Sequence, residues 1–571
     1  MSRISRDLAN SAHNGHANGP MPSSSPPSST MQALRNASTL SSGRLPHVAV
    51  VGAGIAGLRC SDVLARSGVK VTLFEARDRI GGRVHQLESG GYLVDMGPNW
   101  IHGTSGNPIM HLAERTGTTI LEPEEHQAIF DAEGKRRPDS EAVALSSKMW
   151  EMVVDAFKYS DEHSADIDPG VSLFEYFRSK LDTDKELPRR QRQDLLHEAQ
   201  MWGPFVGDPV EKQSLKFFFL EECIEGENVF VAGTYRDILK EIGRSATDED
   251  KVELRLGTEV VHFETRSDRD DKDGGNVRIT ASSGDQSTFD DVVITCPLGW
   301  LKRHHTRAFT PALPPRLASA ISNINYGRLE KLYVTFPTAF WLSPGADGKP
   351  DLSSYPVHTH FHDPSYVPHA SDEAWNQSIV SLAHLPPRCA HPTLLFYIYG
   401  PCGTHLVESI QDVDTHSTEY NAILASFASA FYSRLPNYNP ANPACEPRSF
   451  LMTKWQADPF AGHGSYCNFQ VGLERGDEDI EAMRDAGGLW KTGLWLAGEH
   501  TAPFIALGTT TGAWWSGEAV ARRICTKWGI NVPGDAPVLV EENGNAVVQG
   551  ANKKELDKDK ADAANLSGLA I

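Results

Sequence analysis

The sequence predicts an α/β fold in which a parallel sheet is interrupted by a second domain, part helical and part sheet. The first ground is a strand–helix–strand pattern, HVAVVGAGIAGLRCSDVLARSGVKVTLFEAR, over residues 47–77. The second is a set of four short apolar runs: HVAVV (47–51), VKVTLF (69–74), DVVITC (291–296) and LWLA (494–497). They read as strands buried on both faces, as in a parallel sheet. The third is what lies between them. Residues 171–219 read mostly helical (LFEYFRSKL, RRQRQDLLHEAQMW), and residues 331–464 mix strands with Pro- and His-rich loops.

Composition narrows the function classes. At 571 residues the chain has room for more than one domain, taking about 100–200 residues for each. A formal charge of −20 argues against nucleic acid as the main partner, which needs a basic footprint. It suits a cationic substrate, and solubility alone explains it equally well. The eight cysteines are scattered with no C-x-x-C pair, which fits a reducing compartment better than a disulfide framework or zinc site. Residues 1–30 show no apolar segment of a secretory signal, no run of eighteen apolar residues is present, and the C-terminal GLAI matches neither S-K-L nor a prenylation box. The expectation is a soluble cytoplasmic protein with no membrane span. Residues 1–44, rich in Ser, Pro, Asn and Gly, read as a disordered tail. Residues 533–571, with the charge-mixed KKELDKDK, read as a second, flexible one.

In the first unit, Gly52, Gly54 and Gly57 form G-x-G-x-x-G between a strand and a helix. These glycines allow a tight turn, close approach of backbone to pyrophosphate, and close packing of helix on strand. Glu75 closes the second strand 23 positions after Gly52 and can accept hydrogen bonds from ribose hydroxyls. The fingerprint alone does not separate NAD from FAD. ARDRIGGRV then adds Arg77, a Gly81-Gly82 turn and Arg83, whose fork can clamp pyrophosphate.

Further along, GRLEKLYVTF (327–336) alternates as a strand, with Leu329, Lys331, Tyr333 and Thr335 on one face and Glu330, Leu332, Val334 and Phe336 on the other. Both faces carry large apolar side chains, so the strand is expected to be covered on both sides. An ammonium there must lose its proton or find polar company.

Five ordered motifs resemble those of the flavin-dependent amine oxidases: polyamine oxidases, lysine-specific histone demethylases and monoamine oxidases. They are EARDRIGGRV, DMGPNWIHG (95–103), VVITCPLGWLKR (292–303), GRLEKLYVTF with Phe340-Trp341 beyond it, and LWLAGEHTAPFIALGTTTGAWWSGEAVARRI (494–524); KWQADPFAGHGSY carries a further resemblance. The style is nearest to polyamine oxidases. The resemblance implies a Rossmann-type FAD-binding domain of the amine oxidase kind (45–130, 228–310 and 490–530), interrupted by an α+β substrate-binding domain (131–227 and 311–489). Gly52, Gly54, Gly57, Glu75, Arg77 and Arg83 would then hold the adenosine and pyrophosphate of FAD. Val260 would be a backbone clip for the adenine, Glu499 would lie near pyrophosphate and ribityl chain, and Thr509 and Thr510 would approach the isoalloxazine.

The implied reaction is hydride transfer from an amine's α-carbon to flavin, hydrolysis of the imine, and reduction of O2 to H2O2. Lys331 would face the flavin through a water and assist reoxidation. Trp455 resembles the family tryptophan beside the flavin, Tyr466 a ring facing the substrate channel, and His102 a channel histidine. Each is also a residue type that packs in a core or loop. Thr509 departs from the family, where many polyamine oxidases place a Tyr as a second aromatic wall. Monoamine oxidases tether FAD through a cysteine near the place of Ser465; Cys467 is displaced by two positions, so FAD is expected to be non-covalent. Phe217, Phe218 and Phe219 with Glu221, Glu222 and Glu225 fall where the family lines its channel mouth. HTHFH (His358, His360, His362) puts three imidazoles on one strand face but lacks the other spacings of a metal site, and no metal is expected. The leading expectation is a polyamine oxidase. The alternatives are a tailoring oxidase of an amine-bearing metabolite or amino-acid derivative, and a lysine demethylase, for which no basic surface or inserted arm is visible.

Overall fold

The computed structural model describes residues 44–122, 126–265, 275–369, 371, 374–533, 538–542 and 545–549. The N-terminal tail and KKELDKDK lie outside the described residues, except for Arg44. Within the expected C-terminal tail, Val538–Glu542 pairs antiparallel with Asn545–Gln549.

All four apolar runs become neighbours in one five-stranded parallel sheet. Its order is Leu494–Leu496, Asp291–Ile294, His47–Val51, Lys70–Phe74 and Val252–Arg255. The last strand, VELR, was not legible: it lies at the sheet edge, where alternate positions are exposed and the apolar signal is weak. Helix Ile55–Arg66 covers one face with Ile55, Leu58, Val63 and Leu64. Helix Thr510–Trp528 lies against it at backbone distance, because a Cβ on Gly517 would stand 2.1 Å from the Ala56 carbonyl oxygen. Arg59 joins the pair, donating to Glu518 at 2.6 and 2.9 Å under the Trp514 ring.

The opposite face is covered by helices that lie in the segments expected for the second domain. Pro315–Asn323 and Gly476–Arg484 pack together, and Leu317, Ile321, Ile480 and Met483 share a core with Val292 and Ile294 of the sheet.

The second unit is built on a six-stranded sheet in the order Ser449–Met452, Glu330–Thr335, Thr393–Ile398, Asn376–Ser381, His358–His362 and Gln127–Phe130. Its edge strand, Gln127–Phe130, pairs parallel with His358–His362 and falls inside the segment 45–130 expected for the first domain. Strand Glu330–Thr335 is interior and buried throughout. Leu332, Val334 and Phe336 pack on one face with Trp341, Phe396 and Phe431, and Tyr333 packs on the other with Met96, Tyr397 and Leu451. The helical expectation for 171–219 is met by Leu173–Thr183, with a Ser172–Glu175 capping box, and by Arg189–Glu198. Helices Asp139–His163, Gly400–Ile410 and Thr418–Tyr432 come in addition. All eight cysteines are unpaired, and no helix of the described residues is long and apolar enough to cross a membrane.

The parallel sheet is tied to its last helix by one buried carboxylate. Asp291 accepts from Trp495 Nε1, Lys527 Nζ and Trp528 Nε1, each at 2.7 Å. Asp291→Ala leaves three donors without their acceptor, one of them a largely buried ammonium. It is expected to cost about 3–5 kcal/mol, the range for breaking a buried ion pair from one side. The unfolding midpoint in denaturant measures this, and an unchanged midpoint would show that the donors find other acceptors.

Candidate active site

At the C-terminal edge of the parallel sheet, the glycine fingerprint forms the predicted turn. Gly52 has φ +105°, and a Cβ on Gly57 would stand 1.9 Å from the Gly52 carbonyl oxygen, so neither position tolerates a side chain. Gly54 differs: a Cβ there would meet nothing within 4 Å, and it caps helix Ile55–Arg66 without any side-chain hydrogen bond to the helix N–H groups. The Gly81-Gly82 turn closes against it through Gly81 N–H to Ala53 O at 2.8 Å. The buried Glu75 carboxylate accepts from the Ala53 N–H at 2.7 Å and the Arg77 N–H at 2.9 Å. Its main chain pairs with residues 255 and 258, which brings Val260, at the head of strand Val260–Thr265, beside it.

The two arginines have different settings. Arg83 donates to Glu499 at 3.0 Å and to the Ser465 carbonyl, while the other Glu499 oxygen accepts from the Cys467 N–H at 3.3 Å. Burial works against ionisation of Glu499, but Arg83 and His500 outweigh it and hold the carboxyl below its ordinary value. Arg77 is turned to Asp458, donating Nη2 to both carboxylate oxygens at 2.7 and 2.9 Å.

Lys331, 5% exposed, meets its polar company in the loop that follows strand Tyr92–Asp95. Its Nζ donates to the Asp95 carbonyl at 3.3 Å and to the Gly97 carbonyl. Trp455 Nε1 donates to the Met96 carbonyl between them at 3.0 Å, and Tyr333 OH donates to the Asp95 carbonyl at 2.5 Å. Three consecutive carbonyls are thus taken by side chains of the second unit. Burial pushes the Lys331 ammonium down from its ordinary range and the Asp95 carboxyl up, each opposed by the other's charge. The Asp95 carboxylate accepts from Gln86 Nε2 at 2.7 Å and the Tyr235 N–H at 3.1 Å. The Tyr235 hydroxyl donates to the Trp100 carbonyl at 2.7 Å and stands 3.4 Å from Thr510 Oγ1.

The remaining candidates divide. Thr509 uses its hydroxyl on the fold, accepting from the Gly512 N–H at 3.0 Å and donating to Ala506 O at 2.7 Å. Tyr466 points its hydroxyl to the Phe205 carbonyl at 2.6 Å, at the short helix Gly203–Val206. His102 is half-buried and neutral-leaning because burial lowers its pKa, and its Nδ1 has no hydrogen-bond partner among the described residues. Glu225 sits beside it, its carbonyl accepting from the Thr104 N–H at 3.1 Å and Ser105 N–H at 3.0 Å. Glu221 is turned inward to the Phe469 N–H at 3.1 Å, and burial raises it to about 7. Phe217 and Phe218 are core residues and do not line a channel mouth. In HTHFH, His362 lies 2.6 Å from the buried Glu198 and His360 is 3.0 Å from Ser378 Oγ. Among the described residues no group of three His, Cys, Asp or Glu could hold a metal.

Three participants escaped the sequence. Asp95 stood in DMGPNW without a role. Tyr397, the cross-strand partner of Lys331, hydrogen bonds with Trp100 Nε1 and Asn99 Oδ1, both at 3.1 Å. Glu330 is the third: the anomaly that marks Lys331, a charge on a covered strand, applies one residue earlier as well. Burial raises its carboxyl to about 7 against the pull of Thr453, Gln456 and Trp455.

Comparison with known proteins bears on this geometry. Residues 55–525 match the family model described as flavin containing amine oxidoreductase. Polyamine oxidase 2 of Arabidopsis thaliana is 26% identical over 90% of this chain and 96% of its own. Peroxisomal N(1)-acetyl-spermine/spermidine oxidase of Homo sapiens is 26% identical over 86% of this chain and 98% of its own. A solved structure of putrescine oxidase, a mutant from a redesign of cofactor binding, superposes with TM-score 0.60 at 17% identity, covering 85% of this chain and 99% of that one. The fold is the mixed α/β fold of that enzyme, and the chain belongs to the flavin-containing amine oxidoreductases, oxidoreductases that act on CH–NH groups.

Proposed function

We propose that the chain is an FAD-dependent amine oxidase of the polyamine oxidase kind, with O2 as final acceptor. The observation that carries this reading is the buried Lys331 ammonium held on the 95–97 carbonyls with the Trp455 indole beside it. The parallel-sheet unit is then the Rossmann-type FAD-binding part, and the six-stranded sheet with the helical segment is the substrate-binding part.

The residues present fit FAD. Open space over Gly54, together with the uncapped helix behind it, suits a pyrophosphate, and Gly52 and Gly57 let the backbone come that close. Glu75 retains acceptor capacity for ribose hydroxyls beyond its two N–H partners. Arg83 adds a cation beside Glu499, while Arg77 braces the turn at Asp458 and offers its remaining edge. Val260 would meet the adenine, and Glu499, Trp455, Thr509 and Thr510 would meet the ribityl and ring portion. Ser465 at the tethering position, and Cys467 with its side chain buried in the core, support non-covalent attachment.

Bound FAD supplies the acceptor for a hydride from the amine's α-carbon and the route of its electrons to O2, with water hydrolysing the imine and H2O2 as co-product. The chain's residues set the conditions. Trp455 and Tyr466 keep water out and give a cation an aromatic wall. His102, held neutral by burial, leaves the amine as the group that carries the charge. Lys331 has a neutral form within reach because burial lowers its pKa, so it can give up or take a proton at Nζ. The exposed Glu222 and Glu225 draw distal ammonium groups towards the site. Thr509 in place of a second aromatic favours one other reading, a tailoring oxidase of a bulkier amine-bearing metabolite.

Anaerobic mixing with spermine, spermidine and their N-acetyl forms is expected to bleach the visible flavin band. Bleaching should quicken as pH rises through the bound amine's pKa, since only a neutral nitrogen gives up hydride. A flavin that none of these reduces, but a metabolite amine does, would replace the polyamine reading with the second one. Lys331→Met, which gives up the bonds to the 95 and 97 carbonyls, is expected to slow anaerobic reduction by about threefold and reoxidation by O2 by about 100-fold; equal losses in both half-reactions would assign the lysine to holding the loop and not to reoxidation. Gly54→Ala, whose Cβ meets no atom of the fold within 4 Å, should keep the thermal midpoint of the cofactor-free protein yet hold FAD at least about tenfold more weakly. A Gly54→Ala protein that binds FAD as the wild type does would move the pyrophosphate elsewhere.

A further inference from the structure

Glu330 is fully buried and stands beside Lys331 on the same strand, facing the opposite way. One of its oxygens accepts from Thr453 Oγ1 and from the Trp455 N–H at 3.1 Å; the other accepts from the Gln456 N–H at 2.9 Å. Each of these contacts needs an acceptor. Thr453 Oγ1 already accepts from the Lys331 N–H at 2.8 Å, so its own proton is directed at Glu330. The carboxylate therefore gathers the donors of one short stretch, 453–456, which opens the 3-10 turn Trp455–Ala457. The far end of Trp455 is fixed separately, through Nε1 to the Met96 carbonyl at 3.0 Å.

Ionised carboxylates are costly to bury, and a neutral residue could pack an interior strand at lower cost. A glutamine would turn an NH2 towards at least one N–H or O–H that now has an acceptor. An apolar residue would leave all three donors without one. What the carboxylate secures is the placement of a turn, and the turn carries the indole that shares the 95–97 loop with Lys331.

We infer that Glu330 is a positioning residue of the oxidation site: through the main-chain N–H groups of Trp455 and Gln456 it fixes the indole next to the Lys331 ammonium. Lys331 and Glu330, neighbours on one strand, thus hold the two sides of a single arrangement. Lys331 holds the 95–97 loop, and Glu330 holds the turn whose indole meets that loop. The inference rests on the proposal that Trp455 borders the flavin.

The test uses the FAD-loaded Glu330→Gln enzyme, with hydrogen exchange by mass spectrometry beside stopped-flow reduction. Exchange at the 453–458 stretch should rise by about tenfold, as expected when the buried acceptor of its N–H groups is lost. Strands Thr393–Ile398 and Asn376–Ser381 should keep their protection. The flavin band should shift, and the limiting rate of anaerobic reduction should fall about 10- to 100-fold with the amine's apparent affinity kept. Exchange that is unchanged in that stretch, or that rises equally across the whole sheet, overturns the inference. Should Glu330→Gln fail to accumulate folded, Thr453→Val removes one of the three donors, together with the acceptor of the Lys331 N–H, at nearly constant volume. Local exchange must then rise by a smaller factor, and wild-type exchange there overturns the inference too. A wild-type enzyme reduced by no amine would remove the oxidase reading, while the exchange data still decide whether Glu330 holds Trp455.

Discussion

The ammonium of Lys331 is the constraint on which the rest of the site depends. A cation on a strand covered on both faces must be given oxygen atoms, and the strand's own carbonyls are taken by the sheet. The oxygen comes from another unit, the 95–97 loop that leaves the hairpin of Gln86–Ser89 and Tyr92–Asp95. Satisfying one charge therefore docks two parts of the molecule at a fixed distance. Tyr333, two residues on and on the same face, adds a second donor to the Asp95 carbonyl, and Trp455 takes the carbonyl between. From Asp95 the constraint runs onward: its carboxylate binds the Tyr235 N–H, and the Tyr235 hydroxyl reaches the Trp100 carbonyl and the start of helix Thr510–Trp528. The 95–97 loop, lysine strand and closing helix, far apart in the chain, are joined by a short path of hydrogen bonds.

Much of this was legible because its physics is local. Continuous apolar runs marked four strands of the parallel sheet to within about two residues, the usual uncertainty of element ends. The glycine pattern marked the turn because a Cβ on Gly57 would occupy the Gly52 carbonyl. Lys331 announced itself as a charge out of place. What stayed hidden depends on partners distant in sequence. Helix Asp139–His163 buries Ala142, Leu145, Met149, Val153 and Ala156, a narrow stripe among many polar residues whose target is another helix and a sheet edge. The pairing of Arg77 with Asp458, separated by 381 positions, has no signature at either end. Helices Pro315–Asn323 and Gly476–Arg484 pack on the parallel sheet because their apolar stripes fit its open face, whatever segment they belong to by order along the chain.

Glu330 shows how a correct periodicity can still miss a role. Alternation placed it on the face opposite Lys331, and burial of the whole strand agrees. Alternation cannot say which polar groups wait on that face. The 453–456 stretch presents two N–H groups at the start of a 3-10 turn, where no intrahelical acceptor exists, and one hydroxyl beside them. An acidic side chain from the next strand is one physical answer to those orphan donors.

The threonine at 509 raises the same issue of competing demands. A side chain at the head of a helix can cap it or wall a pocket, and Thr509 caps: its hydroxyl is engaged by Gly512 and Ala506. An aromatic ring there could not cap the helix in this way. The 19-residue helix it opens also carries Gly517, which lies against Ala56, and the Lys527–Trp528 grip on Asp291, so its position matters to the whole parallel sheet. The chain has thus used this position for anchoring, and on the proposed function discrimination between amines falls to other groups. Two of the expected substrate residues have settings that bear on this: Tyr466, tied by its hydroxyl to the Phe205 carbonyl, and His102, whose Nδ1 is buried without a hydrogen-bond partner among the described residues. A ring pinned at its far end is a rigid wall, and an unpaired imidazole nitrogen is a group that a ligand's polar atom can satisfy. On the proposed function, selectivity built from one fixed wall and one unsatisfied nitrogen would read the placement of a single polar group on the substrate more sharply than the bulk of its chain.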